Sequence, residues 1–379
     1  MKLLFVTHHY LDGFGGGAYA SRGMIHAFWT LSEEMTLLYP SAENSRSPVF
    51  PSGLRVRPVL NKKTRLAKLL DLLHGQLHRF GSVFRDEIAP GSFDTVVFDC
   101  CYPSFGLVDV AHQHGCRVIT VHHNYQYEYV RDNYSFPLRG LMLYWTRRCE
   151  RDAVRKSDLN LTLTEADRDL LHTHYGHSAP MAVIGVFEPE VRPALMPSAV
   201  EKDVFLITGD LGIAQTRDSL LPWLKEYYPV LLEVFPEAEL ILAGKRPAPG
   251  IISFSEKNGI ELIDTPPDME PILQRGKYYI CPVSKGGGIK LRIMDGLSHG
   301  MNVASHAVSA RGYEVFEGTC LFPYDDVPSF RMALERMKAI HSNADETIRM
   351  YREVFSFTSG VSRLRRILED RGFLNGKSR

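Results

Sequence analysis

Cys281-Pro282-Val283-Ser284-Lys285-Gly286-Gly287-Gly288-Ile289-Lys290-Leu291-Arg292-Ile293-Met294-Asp295-Gly296-Leu297-Ser298-His299-Gly300 is the stretch that decides the fold. It packs a strand end, a glycine turn, a helix start and a carboxylate into one run. Three consecutive glycines let the backbone approach a ligand closely and adopt positive φ without steric cost. A helix opened by them would aim free N–H groups and a positive dipole end at an anion. The candidate cradle is therefore the backbone of Gly287, Gly288 and Ile289, with Lys290 and Arg292 adding full positive charge beside it. A helix starting near Ile289 puts Asp295 two turns in, on the side of Gly288 and Arg292. A carboxylate there can accept both hydroxyls of a ribose. The run is shaped to hold a nucleotide by its phosphates and its sugar.

Working outward, the same strand–turn–helix unit recurs. Strand patterns at Lys2–Thr7, Met35–Tyr39, Thr95–Phe98, Arg117–His122 and Leu159–Leu163 alternate with helix patterns at Ala18–Thr30, Ala67–Phe84, Phe105–His114 and Leu138–Lys156. Short apolar strands alternating with helices specify a parallel sheet covered on both faces. The second half restarts the rhythm with strands at Asp203–Thr208, Ala238–Leu242, Ile260–Asp264, Tyr278–Val283 and Asn302–Ser305. Its helices are expected at Leu220–Val234, Met269–Arg275 and Lys290–His299. Between the halves, Phe187–Pro197 has linker composition. The expected architecture is α/β, two Rossmann-like doubly wound domains over residues 1–190 and 198–349, facing a central cleft. A helical, basic C-terminal stretch from about residue 350 to 379 is expected to return to the first domain. Ligands in such sheets bind outside the strand C-terminal ends.

Composition narrows the class. The chain has 379 residues, 44% hydrophobic and 23% charged, with a formal net charge of zero. That length suits two domains of ~150–200 residues. The charge balance gives no support to nucleic acid as a partner. The six cysteines include no C-x-x-C pair, which suits a reducing, cytoplasmic setting with buried thiols. The apolar N-terminal stretch is too short for a signal peptide, and no run approaches the ~20 apolar residues needed to span a bilayer. Two cationic amphipathic stretches, Asn61–Leu70 and Leu141–Arg155, suit either peripheral contact with the inner face of a membrane or an ordinary solvated face.

Other motifs also fall at strand ends. Gly13-Phe14-Gly15-Gly16-Gly17 follows the first strand, where Gly16 and Gly17 either admit a phosphate or form a tight turn. His122 and His123 end another strand, a position suited to acceptor binding or proton transfer. Adjacent histidines point in opposite directions along a strand, and no H-E-x-x-H or C-x-x-C accompanies them, so no metal is expected. Ile207-Thr208-Gly209-Asp210-Leu211-Gly212 offers a turn under a phosphate, with Arg217 placed to clamp it or to lie solvated.

Taken in order, these residues resemble the GT-B glycosyltransferases, most closely the retaining, nucleotide-sugar-dependent family 4. The resemblance spans nearly the whole chain and rests most on Gly286–Asp295 followed by Gly300-Met301-Asn302-Val303-Ala304-Ser305. It implies a hexosyltransferase-type enzyme of polysaccharide biosynthesis. Sugar would pass from a nucleotide-diphosphate sugar to a glycan or lipid-linked glycan, with retention, no obligatory metal and no other cofactor. By that resemblance the Gly16–Gly17 loop lies near the donor diphosphate, and His122 contacts the donor sugar. Arg217 and Lys290 neutralise the leaving diphosphate, Gly209 belongs to the phosphate turn, and Asp295 holds the ribose. Two departures stand out. The family's Glu-x7-Glu pair reads here as Gly287 and Asp295, and Asp210 stands where many relatives carry a cation. The alternative implied is an inactive scaffold that partners an active transferase.

Overall fold

The computed structural model describes residues 1–13, 15–41, 50–60, 64–73, 75, 78–134, 139–177, 179–192, 201–340 and 343–374. The chain divides into one unit of Met1–Val191 with Phe355–Arg379 and a second of Arg192–Val354. Phe14, Lys62, Lys63, Leu138 and the part of the expected linker from Pro193 onward lie outside the described residues.

The first unit begins with β1 (Lys2–Thr7), α1 (Gly16–Leu31), β2 (Glu34–Ser41), β3 (Arg55–Leu60), α2 (Arg65–Leu73) and α3 (Gly81–Glu87). It continues through β4 (Thr95–Asp99), α4 (Cys101–Ser104), α5 (Val108–Gln113), β5 (Arg117–His122) and α6 (Gln126–Asn133). Then come α7 (Arg139–Lys156), β6 (Leu159–Thr162), α8 (Glu165–Tyr175) and β7 (Met181–Val183). The strands form one parallel sheet in the order β3-β2-β1-β4-β5-β6-β7. Leu3–Val6 and Val96–Phe98 are buried throughout, as central strands covered on both faces require. On one face Leu4, Val6, Val96, Phe98 and Val118 share a core with Phe84 and Val108. On the other, Phe5 meets Phe28 of α1 edge-on at 5.8 Å.

The second unit runs β8 (Val204–Asp210), α9 (Ala214–Glu226), α10 (Tyr228–Val234), β9 (Glu239–Lys245), α11 (Pro249–Asn258), β10 (Glu261–Asp264) and α12 (Glu270–Leu273). It continues with β11 (Tyr278–Cys281), α13 (Arg292–Ser298), β12 (Asn302–His306), α14 (Ala307–Ala310), β13 (Leu321–Tyr324), α15 (Val327–Ala339) and α16 (Ala344–Phe355). Its strands are also all parallel, in the order β10-β9-β8-β11-β12-β13. Phe205, Leu240 and Ile280 pack there against Trp223, Leu231 and Phe330.

The last helix, α17 (Phe357–Asp370), belongs to the first unit. It is separated from α16 at Ser356, whose Oγ accepts the Ser359 N–H at 3.2 Å and caps the new helix. At its far end Arg117 donates to the carbonyls of Gly372 (2.8 Å) and Arg371 (3.0 Å) and lies 3.5 Å from the Phe373 ring centroid.

Several expected helices are shorter or divided. The run Ala67–Phe84 is two helices, with Gly75 at φ +71° between them, outside right-handed helical geometry. Leu220–Val234 is replaced by α9, which carries Pro222 within it, and α10; Pro229 in the first turn of α10 has no N–H to bond back into α9, and it suits a helix start. The helix expected from Lys290 begins at Arg292, so Asp295 lies in its first turn and not two turns in.

Candidate active site

In the second unit, the site grows from two strand ends. Gly209 of β8 pairs with Gly244 of β9 and has φ +126°. A Cβ on Gly244 would fall on the Gly209 carbonyl, so the two backbones approach as only glycines allow. Over Gly209, at the position a side chain would occupy, lies the guanidinium of Arg292, its Cζ 3.1 Å from that point. Arg292 Nη2 donates to Thr216 Oγ1 at 3.0 Å. Its Nη1 is buried and has no hydrogen-bond partner among the described residues. A buried, unpaired donor on a full positive charge is costly, and it suits an anionic oxygen.

Asp295 is half-buried. Burial raises its pKa from 3.8 to about 6, against the opposing pull of His299, Arg192 and Arg292 and a hydrogen bond with Thr208. The Thr208 hydroxyl also bonds Tyr279 Oη at 2.6 Å, tying β8 to β11 behind the site. The glycine loop is shaped from within. Gly286 and Gly288 take φ +84° and +71°. Lys290 Nζ donates to the carbonyls of Gly286 (2.9 Å), Gly287 (2.8 Å) and Gly288 (3.3 Å), which matches the three donors of an ammonium. Tyr313 Oη donates to the Lys290 carbonyl at 2.9 Å and anchors the end of the loop.

Other expected positions stand apart from this cluster. Arg217 is exposed on α9 and paired with Asp218 at 2.7 Å. Asp210 accepts the N–H groups of Gly212 (3.1 Å) and Ile213 (3.3 Å) and bonds Arg246. It thus organises the turn into α9, and Arg246 supplies a cation opposite it. Ile289 is half-buried within the loop.

In the first unit, alternation along β5 separates the histidines. His122 is 2% exposed and its Nε2 lies 2.9 Å from Asn160 Oδ1. The Asn160 amide nitrogen donates to the carbonyls of Val154 (3.0 Å) and Pro180 (3.3 Å), which assigns its oxygen as acceptor and the His122 proton to Nε2. Burial lowers the His122 pKa, only partly offset by Asn160, so the ring is neutral.

His123 sits on the opposite side with Asp99. Its Nε2 is 2.5 Å from Asp99 Oδ1, while Thr7 Oγ1 (2.7 Å) and Ser21 Oγ (2.5 Å) both donate to Oδ2. Asp99 is fully buried, which alone would raise its pKa. The charge and hydrogen bond of His123 prevail and hold the carboxyl well below the usual range. The His9 ring lies 4.8 Å from that of His123 and 4.0 Å from that of His8. A Cβ on Gly17 would overlap the His9 ring, 2.8 Å from Nδ1. Gly17 therefore makes room for an imidazole, and Gly16 is exposed as the first residue of α1.

The structure groups Asp99 with His9 and His123, which lie on three separate strand ends and share no sequence motif. The available signal was an acid ending the buried run Thr95–Phe98, since a carboxylate there needs specific partners.

The sequence matches no family model. It is 25% identical over 181 residues to an uncharacterized 44.6 kDa protein in the cps region of Klebsiella pneumoniae, a match spanning 42% of this chain and 46% of that protein. Three solved structures are similar along nearly their whole length. Sucrose-phosphate synthase from Thermosynechococcus elongatus has a TM-score of 0.71 at 11% identity, covering 97% of this chain and 98% of its own. HepE of Anabaena in complex with UDP gives 0.67 at 12%, covering 98% and 100%. The lipopolysaccharide outer core galactosyltransferase WaaB, in its apo form, gives 0.66 at 12%, again covering 98% and 100%. The chain has the GT-B fold of these proteins, two α/β units each built on a parallel sheet.

Proposed function

We propose that this chain is a glycosyltransferase that moves a sugar from a nucleotide-diphosphate donor to a glycan or lipid-linked glycan acceptor, with retention and no obligatory metal. The observation that carries this reading is Arg292. Its guanidinium rests on Gly209 with a buried Nη1 that has no partner among the described residues, next to the half-buried carboxyl of Asp295. A cation and an acceptor so placed suit the two ends of a ribose–diphosphate. Charge grows on the diphosphate as it leaves, and a guanidinium already fixed in place stabilises that charge without reorganising. Arg292 thus takes the neutralising role that the resemblance gave to Arg217 and Lys290.

HepE crystallises with UDP and with UDP-glucose, which supports a uridine donor by analogy. His122, neutral and fixed by Asn160, is proposed to position the donor sugar through the strand end it terminates. Peripheral contact with a membrane is proposed from α2, which exposes Leu66, Leu69, Leu70 and Leu73 beside Lys68, and from the exposed Arg147, Arg148 and Arg151 of α7. No described helix is long and apolar enough to cross a membrane.

Titration calorimetry with UDP, GDP, ADP and their sugars tests the assignment. The expected result is binding of one nucleotide family, weakened roughly 10-fold or more by Arg292→Gln, as loss of a charged hydrogen bond predicts. A folded sample that binds none of them at millimolar concentration refutes it. The scaffold reading is favoured by Gly287, which brings no carboxylate, and it requires nucleotide binding without turnover of any nucleotide sugar.

A further inference from the structure

Three strand-end segments of the first unit converge on one cluster of metal-ligating side chains. His9 follows β1, Asp99 ends β4 and His123 follows β5. One ligand atom from each lies within 4.8 Å of the other two. His9 Nε2 and His123 Nδ1 are buried and lack hydrogen-bond partners among the described residues. The His123 side chain is 9% exposed and that of Asp99 is fully buried.

We propose that His9, Asp99 and His123 form a binding site for one divalent transition-metal ion, Zn2+ foremost. Two imidazoles and a carboxylate suit zinc, with a fourth position left for water. Tetrahedral zinc places its ligand atoms roughly 3.3 Å apart, so the cluster contracts by about 1.5 Å at its widest. His9 makes that adjustment, because its Nε2 has no hydrogen-bond partner among the described residues and its ring faces Gly17, which has no side chain. Asp99 needs little movement. Its Oδ2 is held by the hydroxyls of Thr7 and Ser21 and its Oδ1 faces the cluster, the arrangement by which outer hydrogen bonds orient a ligating carboxylate. Coordination through His123 Nε2 replaces its hydrogen bond to Asp99 Oδ1. The ion ties the ends of β1, β4 and β5 together. The site lies wholly within the first unit, and under the proposed function Arg292 of the second unit neutralises the diphosphate.

The test uses the full chain with any affinity tag removed. Equilibrium dialysis against Zn2+ and elemental analysis are expected to find about one bound equivalent, and Co2+ in its place to give visible absorption of tetrahedral intensity. His9→Gln and His123→Gln are each expected to abolish the bound equivalent and the Co2+ bands. His172→Gln, a partly exposed histidine away from the cluster, is expected to retain both. His9→Gln carries the test should His123→Gln fail to fold, because the half-buried His9 ring does not hold the Asp99 network. Wild-type protein that binds no more Zn2+ than His9→Gln overturns the proposal and leaves Asp99 and His123 a structural ion pair.

Discussion

Replacing Asp295 by asparagine separates what this residue does for a ligand from what it costs the fold. Its pKa is raised from 3.8 to about 6, with burial the largest cause. That displacement corresponds to about 3 kcal/mol spent on keeping the carboxylate ionised in the folded chain. The sign follows from linkage: the folded state binds the proton more tightly than the unfolded state, so ionisation destabilises it. The penalty is absent below 3.8, grows as pH rises, and is complete above about 6. Asparagine keeps an oxygen for Thr208 and carries no charge. Asp295→Asn is therefore expected to stabilise the second unit by about 3 kcal/mol at pH 8 and by about half as much at pH 5. For a unit of this size that is a rise in Tm of roughly 6–12 °C at pH 8. Calorimetric scans of both chains at the two pH values measure it. The same variant is expected to bind nucleotide roughly 10- to 100-fold more weakly, as it gives up a charged acceptor. A variant less stable than the parent at pH 8, or one whose gain does not change with pH, would refute the account of Asp295 as an ionised group held at a cost.

Two further substitutions probe the backbone of the same unit. Lys290→Met removes the ammonium that gathers the carbonyls of Gly286, Gly287 and Gly288. Nucleotide diphosphate affinity is expected to fall at least about 10-fold while free-sugar binding changes little, and limited proteolysis is expected to cut sooner within residues 285–290. Equal losses for both ligands in calorimetry would place the effect elsewhere. Gly244→Ala drives a methyl into the Gly209 carbonyl and is expected to cost more than about 3 kcal/mol in thermal unfolding, whereas Gly259→Ala, which bears the strain of φ +66° but has open space around its Cβ, costs less. Comparable values for the two would show that the close approach of β8 and β9 relaxes freely.

The alternation of strands and helices was legible because its strands are short continuous apolar runs, such as Leu3–Val6 and Val96–Phe98, bounded by polar turns. The parallel sheets follow from that pattern. Helix divisions were harder to see, since Gly75 and Pro229 interrupt stretches whose apolar periodicity continues across them. The site divides in the same way. Residues close together in sequence, such as the glycine loop and its cations, announced themselves. The direction of the Lys290 ammonium did not, because it depends on the path of the loop. Arg292 of α13 over Gly209 of β8, and Asp99 of β4 beside His123 after β5, join elements far apart in sequence, and only the order of the strands in each sheet brings them together.

The strap that Lys290 forms has a consequence for the other edge of those peptides. Each peptide is planar and trans, so its N–H points opposite to its C=O. Three carbonyls gathered on one ammonium therefore turn the amides of Gly287, Gly288 and Ile289 away from it as a group. The lysine acts as a mould, converting a single side-chain charge on the inner side of the loop into a row of backbone dipoles on the outer one.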